Sequence, residues 1–176
     1  MNRKKICWLA AVVAYATTAV AQIEKVNPVI GTDGMGHTFP GACVPFGMIQ
    51  LSPDTDTIPH NVDGVYQPDV YAYCAGYQYH DSTIVGFSHT HMSGTGHSDL
   101  GDILLMPTTG ALKLNPGTKD CPDAGYRSRF SHETEKATPG YYEVKLDDYD
   151  VKVQLTTTPR VGPWWCPRST PTILRS

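Results

Sequence analysis

Tyr142, Val144 and Leu146 alternate with Glu143 and Lys145. Asp147-Asp148-Tyr149 then turns the chain, and Val151, Val153 and Leu155 alternate with Lys152 and Gln154. Side chains of a strand point to opposite faces in turn, so this segment is a β-hairpin with one buried face. No stretch sustains a helical period over three turns, and 16 glycines and 14 prolines break up the chain. Further short strands are expected at Phe46 to Leu51, Thr83 to Val85, Ile103 to Met106 and Tyr126 to Phe130. A turn and another short strand are expected between Thr108 and Pro116. Short strands at regular spacing, joined by Gly, Pro and Asp turns, make the chain all-β, an antiparallel β-sandwich with long polar loops.

The N-terminus reads as a targeting signal. Arg3, Lys4 and Lys5 precede an apolar stretch from Ile6 to Ala16, and Ala19-Val20-Ala21 is a small-residue cleavage site. Cleavage between Ala21 and Gln22 is expected, which makes the protein secreted or periplasmic. Without those first residues eleven basic side chains face seventeen acidic ones, a net charge of −6. No basic patch favours nucleic acid, and no second long apolar run suggests a membrane span. Cys43, Cys74, Cys121 and Cys166 remain, widely and irregularly spaced, with three possible pairings and no basis for choosing one.

The stretch with the most chemistry runs from Gly86 to Asp102. It holds His89, His91 and His97, the carboxylates of Asp99 and Asp102, and several glycines and hydroxyl residues. Apolar runs lie on both sides, so this is a polar loop held on strands, the usual place for a binding site. His89 and His91 share parity and suit one face of a strand. A Zn²⁺ site there would take its third ligand from His97, Asp99 or Asp102. A hydrogen-bonded histidine pair is the simpler reading. Ser88 or Ser93, with a histidine and Asp99, gives a hydrolase triad on paper, but no Gly-x-Ser-x-Gly elbow supports it. Asp99 and Asp102 as an acid/base pair compete with a turn-capping role.

Upstream, Gly31, Gly34 and Gly36 are not spaced as a dinucleotide fingerprint, and Pro40 and Pro45 follow. Ser52 to Gln67 reads as loop. A Ca²⁺ site from Asp54, Asp56 and Asp63 is weighed against a solvated acidic loop, and the loop is favoured because the EF-hand pattern is absent. Tyr71, Tyr73, Tyr77 and Tyr79 share parity, which suits one face of an extended chain. Such a face fits stacking on sugar rings, and equally a sandwich wall. The last residues, 163–176, carry Trp164, Trp165 and three prolines, and continue no strand pattern.

Several of these segments resemble one family. Asn27 to Thr32, Gly36 to Ala42, Pro45 to Met48, Gln50 to Asp54, Cys74 to Tyr77, Gly86 to His91 with Ser93 to Gly96, Asp99 to Pro107, and Thr157 to Gly162 look like glycoside hydrolase family 92. The match covers about Val26 to Gly162. The resemblance implies the N-terminal β-sandwich, residues 22–162, of an exported, Ca²⁺-dependent, inverting exo-α-mannosidase that acts on mannose-containing glycans. It implies that a much larger C-terminal helical barrel carries the acid, the base and the Ca²⁺, so this chain has no catalytic or metal-binding residue of its own. Such a chain is expected to be truncated and inactive alone, with a disordered, non-matching tail at 163–176. Its loops would form one wall of the mannose pocket, with Gly36, Tyr73, Cys74 and His91 as the sugar-facing residues. Tyr73-Cys74 stands where the family typically has Trp-Cys, which keeps a stacking face but shrinks it. The alternatives are a stand-alone carbohydrate-binding module and a small metal hydrolase built on His89 and His91.

Overall fold

A computed structural model describes residues 22–94, 101–166 and, as backbone, 172–175. Among the described residues thirteen strands follow one another: β1 Ala42–Cys43, β2 Gln50–Asp54, β3 Asn61–Val62, β4 Val65–Tyr66, β5 Thr83–Ile84, β6 Gly86–Ser88, β7 Leu105–Thr108, β8 Ser128–Arg129, β9 Lys136–Thr138, β10 Tyr141–Leu146, β11 Val151–Thr156, β12 Trp164–Trp165 and β13 Thr172–Arg175. One antiparallel sheet runs β1-β2-β6-β7-β13 and the other β12-β11-β10-β9. They pack face to face, β1 and β2 against β10 and β11, and form the β-sandwich expected from the sequence.

The hairpin β10–β11 supplies one half of the core. Tyr142 pairs with Leu155, Val144 with Val153 and Leu146 with Val151. All six are fully buried, while Lys145 and Lys152 are exposed. Leu51, Phe87, Met106 and Ile84 meet them from the other side. The buried Tyr142 and Tyr77 hydroxyls donate to Glu135 at 2.6 and 2.9 Å, and His132 Nδ1 lies 2.5 Å from the same carboxylate. A carboxylate under the core is thereby supplied with donors instead of being left unpaired.

Several elements differ from the sequence expectation. The first of them begins at Gln50, not Phe46; Phe46 lies in a loop at φ +59° and is fully exposed. The stretch Thr109–Pro116 forms no strand, and the 52–67 segment is not all loop. It contains the last residues of β2 and a small hairpin, β3–β4, turned by Asp63 and Gly64 at φ +52° and +81°. An Asp-Gly pair between two valines is the type I′ hairpin signal, and it is present in the sequence. The tyrosine block is not an extended face. Pro68 opens a 3-10 turn through Tyr71, and Gly76 at φ +80° bends the chain again. Tyr77 goes to the core, Tyr79 stacks on His132 and Tyr71 lies edge-on to His37. The expectation of no strand after Gly162 is also corrected. Trp164–Trp165 pairs with β11, and Thr172–Arg175 pairs with β7. Trp164 packs edge-on against Phe87 of the core. Residues 167–171 and 176, and the segment 1–21 expected to hold a signal peptide, lie outside the described residues.

Two measurements test this packing. Leu155→Ala should cost about 3 kcal/mol in urea unfolding, because it empties a filled core position. Lys145→Ala on the outer face should cost no more than about 0.5 kcal/mol. Acid unfolding should report Glu143. Its burial alone would raise its pKa, but hydrogen bonds from Lys152, Tyr141 and Gln154 outweigh that and bring it to about 2. The stability it adds is present above the ordinary value of 4.5 and is lost as pH falls toward 2, and Glu143→Gln should flatten that part of the profile.

Candidate functional site

Strands β2 and β6 meet the coiled segment 72–76 around His91. Nδ1 lies 2.7 Å from the Gln50 carbonyl, an acceptor only, so Nδ1 carries a proton. Nε2 lies 3.1 Å from Asp54 Oδ1 and 3.1 Å from Ser88 Oγ. With Nδ1 already protonated, a neutral ring would turn its Nε2 lone pair toward the carboxylate and accept from the Ser88 hydroxyl, whereas a charged ring would donate to Asp54 as well. The carboxylate beside Nε2 favours the charged ring. Burial opposes the charge, but the Asp54 charge and hydrogen bond and the Gln50 carbonyl outweigh it and raise the His91 pKa. Phe39 covers the ring at 5.3 Å between centroids. Gly76 completes the fit, since a Cβ there would run into Asp54 Oδ1 and the His91 ring.

Beside this pair is a cavity of about 150 Å³. Tyr73, Cys74 and His91, three of the four sugar-facing residues expected from the sequence, line it together with Asp54, Asp56 and Gly76. Gly36 is not among its lining residues; a Cβ there would strike the Gly31 carbonyl. Its neighbour His37 does reach the site, with Nδ1 2.9 Å from Cys74 Sγ. Tyr73 donates its hydroxyl to Asp81 at 2.9 Å. Asp56 is held by Arg127 at 3.0 Å and Lys119 at 3.5 Å.

The competing chemistries fare differently. Ser88, His91 and Asp54 touch, but Ser88 and Asp54 share one nitrogen of the ring while a carbonyl takes the other. A triad needs the hydroxyl and the carboxylate on opposite nitrogens, and Ser88 is fully buried. Both His91 ring nitrogens are already engaged, by the Gln50 carbonyl on one side and by Asp54 and Ser88 on the other. His89 turns away, with Nδ1 3.1 Å from the Ile103 carbonyl and its ring stacked on Trp164. Asp102 accepts from the Thr90 hydroxyl at 3.3 Å. Its proposed partner Asp99, and His97, lie outside the described residues. Asp54 was read from the sequence as part of a solvated acidic loop; it is buried and paired with His91. Lys119 and Asp81 were not singled out, because they come from distant parts of the chain.

The family model described as "Glycosyl hydrolase family 92 N-terminal domain" matches residues 25–163. The structure of a family GH92 α-mannosidase from Bacteroides thetaiotaomicron is 50% identical, with a TM-score of 0.72, over 81% of this chain and 18% of that one. A structure of that enzyme with mannoimidazole gives 50% identity and a TM-score of 0.71, over 81% and 17%. A family GH92 inverting mannosidase from Bacteroides thetaiotaomicron VPI-5482 is 26% identical with a TM-score of 0.56, over 81% of this chain and 17% of that one. An uncharacterised secreted glycosidase of Arthroderma benhamiae is 30% identical over 145 residues, 77% of this chain and 16% of the relative. The chain therefore spans less than a fifth of the length of each of these relatives. No helix among the described residues is long and apolar enough to cross a membrane.

The His91 assignment can be checked by ¹⁵N NMR. Both ring nitrogens should be protonated at pH 6.5, and the midpoint should lie above that value. Asp54→Asn should lower it. Because the folded pKa is raised, the stability this contact adds is full below 6.5 and is lost as pH rises through the folded value. A midpoint at or below 6.5 in the unaltered protein would contradict the assignment.

Proposed function

Because this chain belongs to the glycosyl hydrolase family 92 N-terminal domain family, we propose that it serves a secreted exo-α-mannosidase as one wall of its mannose pocket. The observation that carries this reading is the convergence of Tyr73, Cys74 and His91 on one cavity. At about 150 Å³ that cavity is well below the ~300–1,000 Å³ of pockets that enclose small molecules, so it fits one side of a sugar site better than a whole one. Gly36 would act next to it, through the backbone beside His37.

The acid and base of an inverting hydrolysis belong, in this reading, to a helical barrel domain packed on the sandwich. The two carboxylates that line the cavity are poorly suited to the work. Asp54 is paired with His91, and Asp56 with Arg127 and Lys119. A general acid must hold a proton it can give, and carboxylates engaged by cations accept hydrogen bonds instead. The same cations make this a poor Ca²⁺ site, so Ca²⁺ is assigned to the barrel. Among the described residues no group of three or more His, Cys, Asp or Glu side chains is arranged to hold a metal.

Exposed apolar side chains would suit the docking of such a barrel. Phe46, Met48, Met92 and Ile103 are large, apolar and exposed. Phe46 and Ile103 also hold left-handed backbone, at φ +59° and +57°, which bulky side chains rarely adopt. Exposed apolar side chains on constrained loops suit contact with a partner.

The purified mature chain with Ca²⁺ should show no turnover of an aryl α-mannoside. A chimera should show turnover when this chain replaces the N-terminal domain of the 50% identical α-mannosidase. Turnover by the chain alone would overturn the division of labour. Tight mannoside binding by the chain alone would favour a stand-alone carbohydrate-binding module. An inactive but folded chimera would contradict the proposed wall.

A further inference from the structure

Tyr73 is tethered at its far end. Its hydroxyl donates to Asp81 Oδ2 at 2.9 Å and accepts from Lys119 Nζ. Lys119 also donates to Asp81 Oδ1 at 2.7 Å, and its ammonium lies 4.2 Å from the centre of the Tyr73 ring. Asp81 is buried, and Asp56, held by Arg127, adds a second carboxylate 3.5 Å from the ammonium. The phenol has therefore spent its donor on Asp81 and an acceptor position on Lys119. Contact with a ligand in the cavity is left to the ring.

We propose that Lys119 is a positioning residue for the sugar site, fixing the Tyr73 ring as the aromatic wall of the cavity through its hydroxyl. This rests on the reading of the cavity as one side of a mannose pocket. A tryptophan at this place would have no hydroxyl for Lys119 and Asp81 to hold. Lys119 is thus the partner that lets a tyrosine, smaller and otherwise freer to tilt, form the wall. Burial and the nearby Asp81 raise the Tyr73 pKa, and the Lys119 hydrogen bond works against them.

The test uses the chimera described above, with Lys119→Met and Lys119→Arg. A ¹³Cζ-labelled Tyr73 reports the phenol, and steady-state kinetics on an aryl α-mannoside report the site. Lys119→Met should move the Tyr73 titration upward, because the cation that favours the phenolate is gone. KM should rise about tenfold while kcat stays within about twofold, as expected when a binding wall loses its hydrogen-bond anchor. Lys119→Arg should restore both. An unmoved Tyr73 titration would overturn the contact. A shifted titration with unchanged KM would overturn the positioning role. If the folded chimera with Lys119 intact is inactive, the mannose-wall reading fails and the positioning role fails with it. The titration still shows separately whether Lys119 holds the ring.

Discussion

A buried histidine–aspartate contact ties together three parts of the chain. His91 donates to the Gln50 carbonyl on one side and meets Asp54 on the other, and Ser88 lies against the same nitrogen. Strands β2 and β6, and the loop that follows β6, are thus joined at a buried point beside the cavity. A charge in such a place costs stability unless it is paired and hydrogen-bonded, and leaving either partner alone is more costly than the pair itself. The contact therefore specifies one arrangement more than it adds net stability. Gly76 belongs to it as much as the charges do, because only a residue without a Cβ leaves room for the carboxylate and the ring.

From that point outward the site is built in layers. The sandwich core fixes β2 and β6. The ion pair fixes the loop after β6. The segment 72–76, bent by Gly76, lays Tyr73 and Cys74 on the same cavity, and a second set of charges from Asp81, Lys119, Asp56 and Arg127 holds Tyr73 from behind. Two charged clusters thus flank one small cavity, and the carboxylates in both are engaged by basic side chains. That arrangement supports the proposed role as a shaped wall.

The parts of this that were legible in the sequence are the local ones. The alternation at 142–155 placed six buried side chains on one face, because both strands and their turn are contiguous. The Tyr73-Cys74 and His91 segments were found through a resemblance, and the fold brings them together. The tyrosine parity failed because period two applies only to extended chain, and Pro68 and Gly76 coil this one. Asp54 looked like part of an acidic loop, because its partner His91 lies 37 residues away. Lys119 is 46 residues from Tyr73, and no spacing rule connects them. The Asp63-Gly64 hairpin was readable and passed over among other loop residues.

The measurement closest to the central claim is a double-mutant cycle on Asp54→Asn and His91→Gln, followed by urea unfolding at pH 6. If the pair is the joint on which the site is assembled, each single change should be strongly destabilising and the double change should cost much less than their sum. A coupling of about 1–3 kcal/mol is expected for groups in direct charged contact. Additive effects, with coupling below about 0.5 kcal/mol, would mean that Asp54 and His91 act independently and that the loop is held by something else.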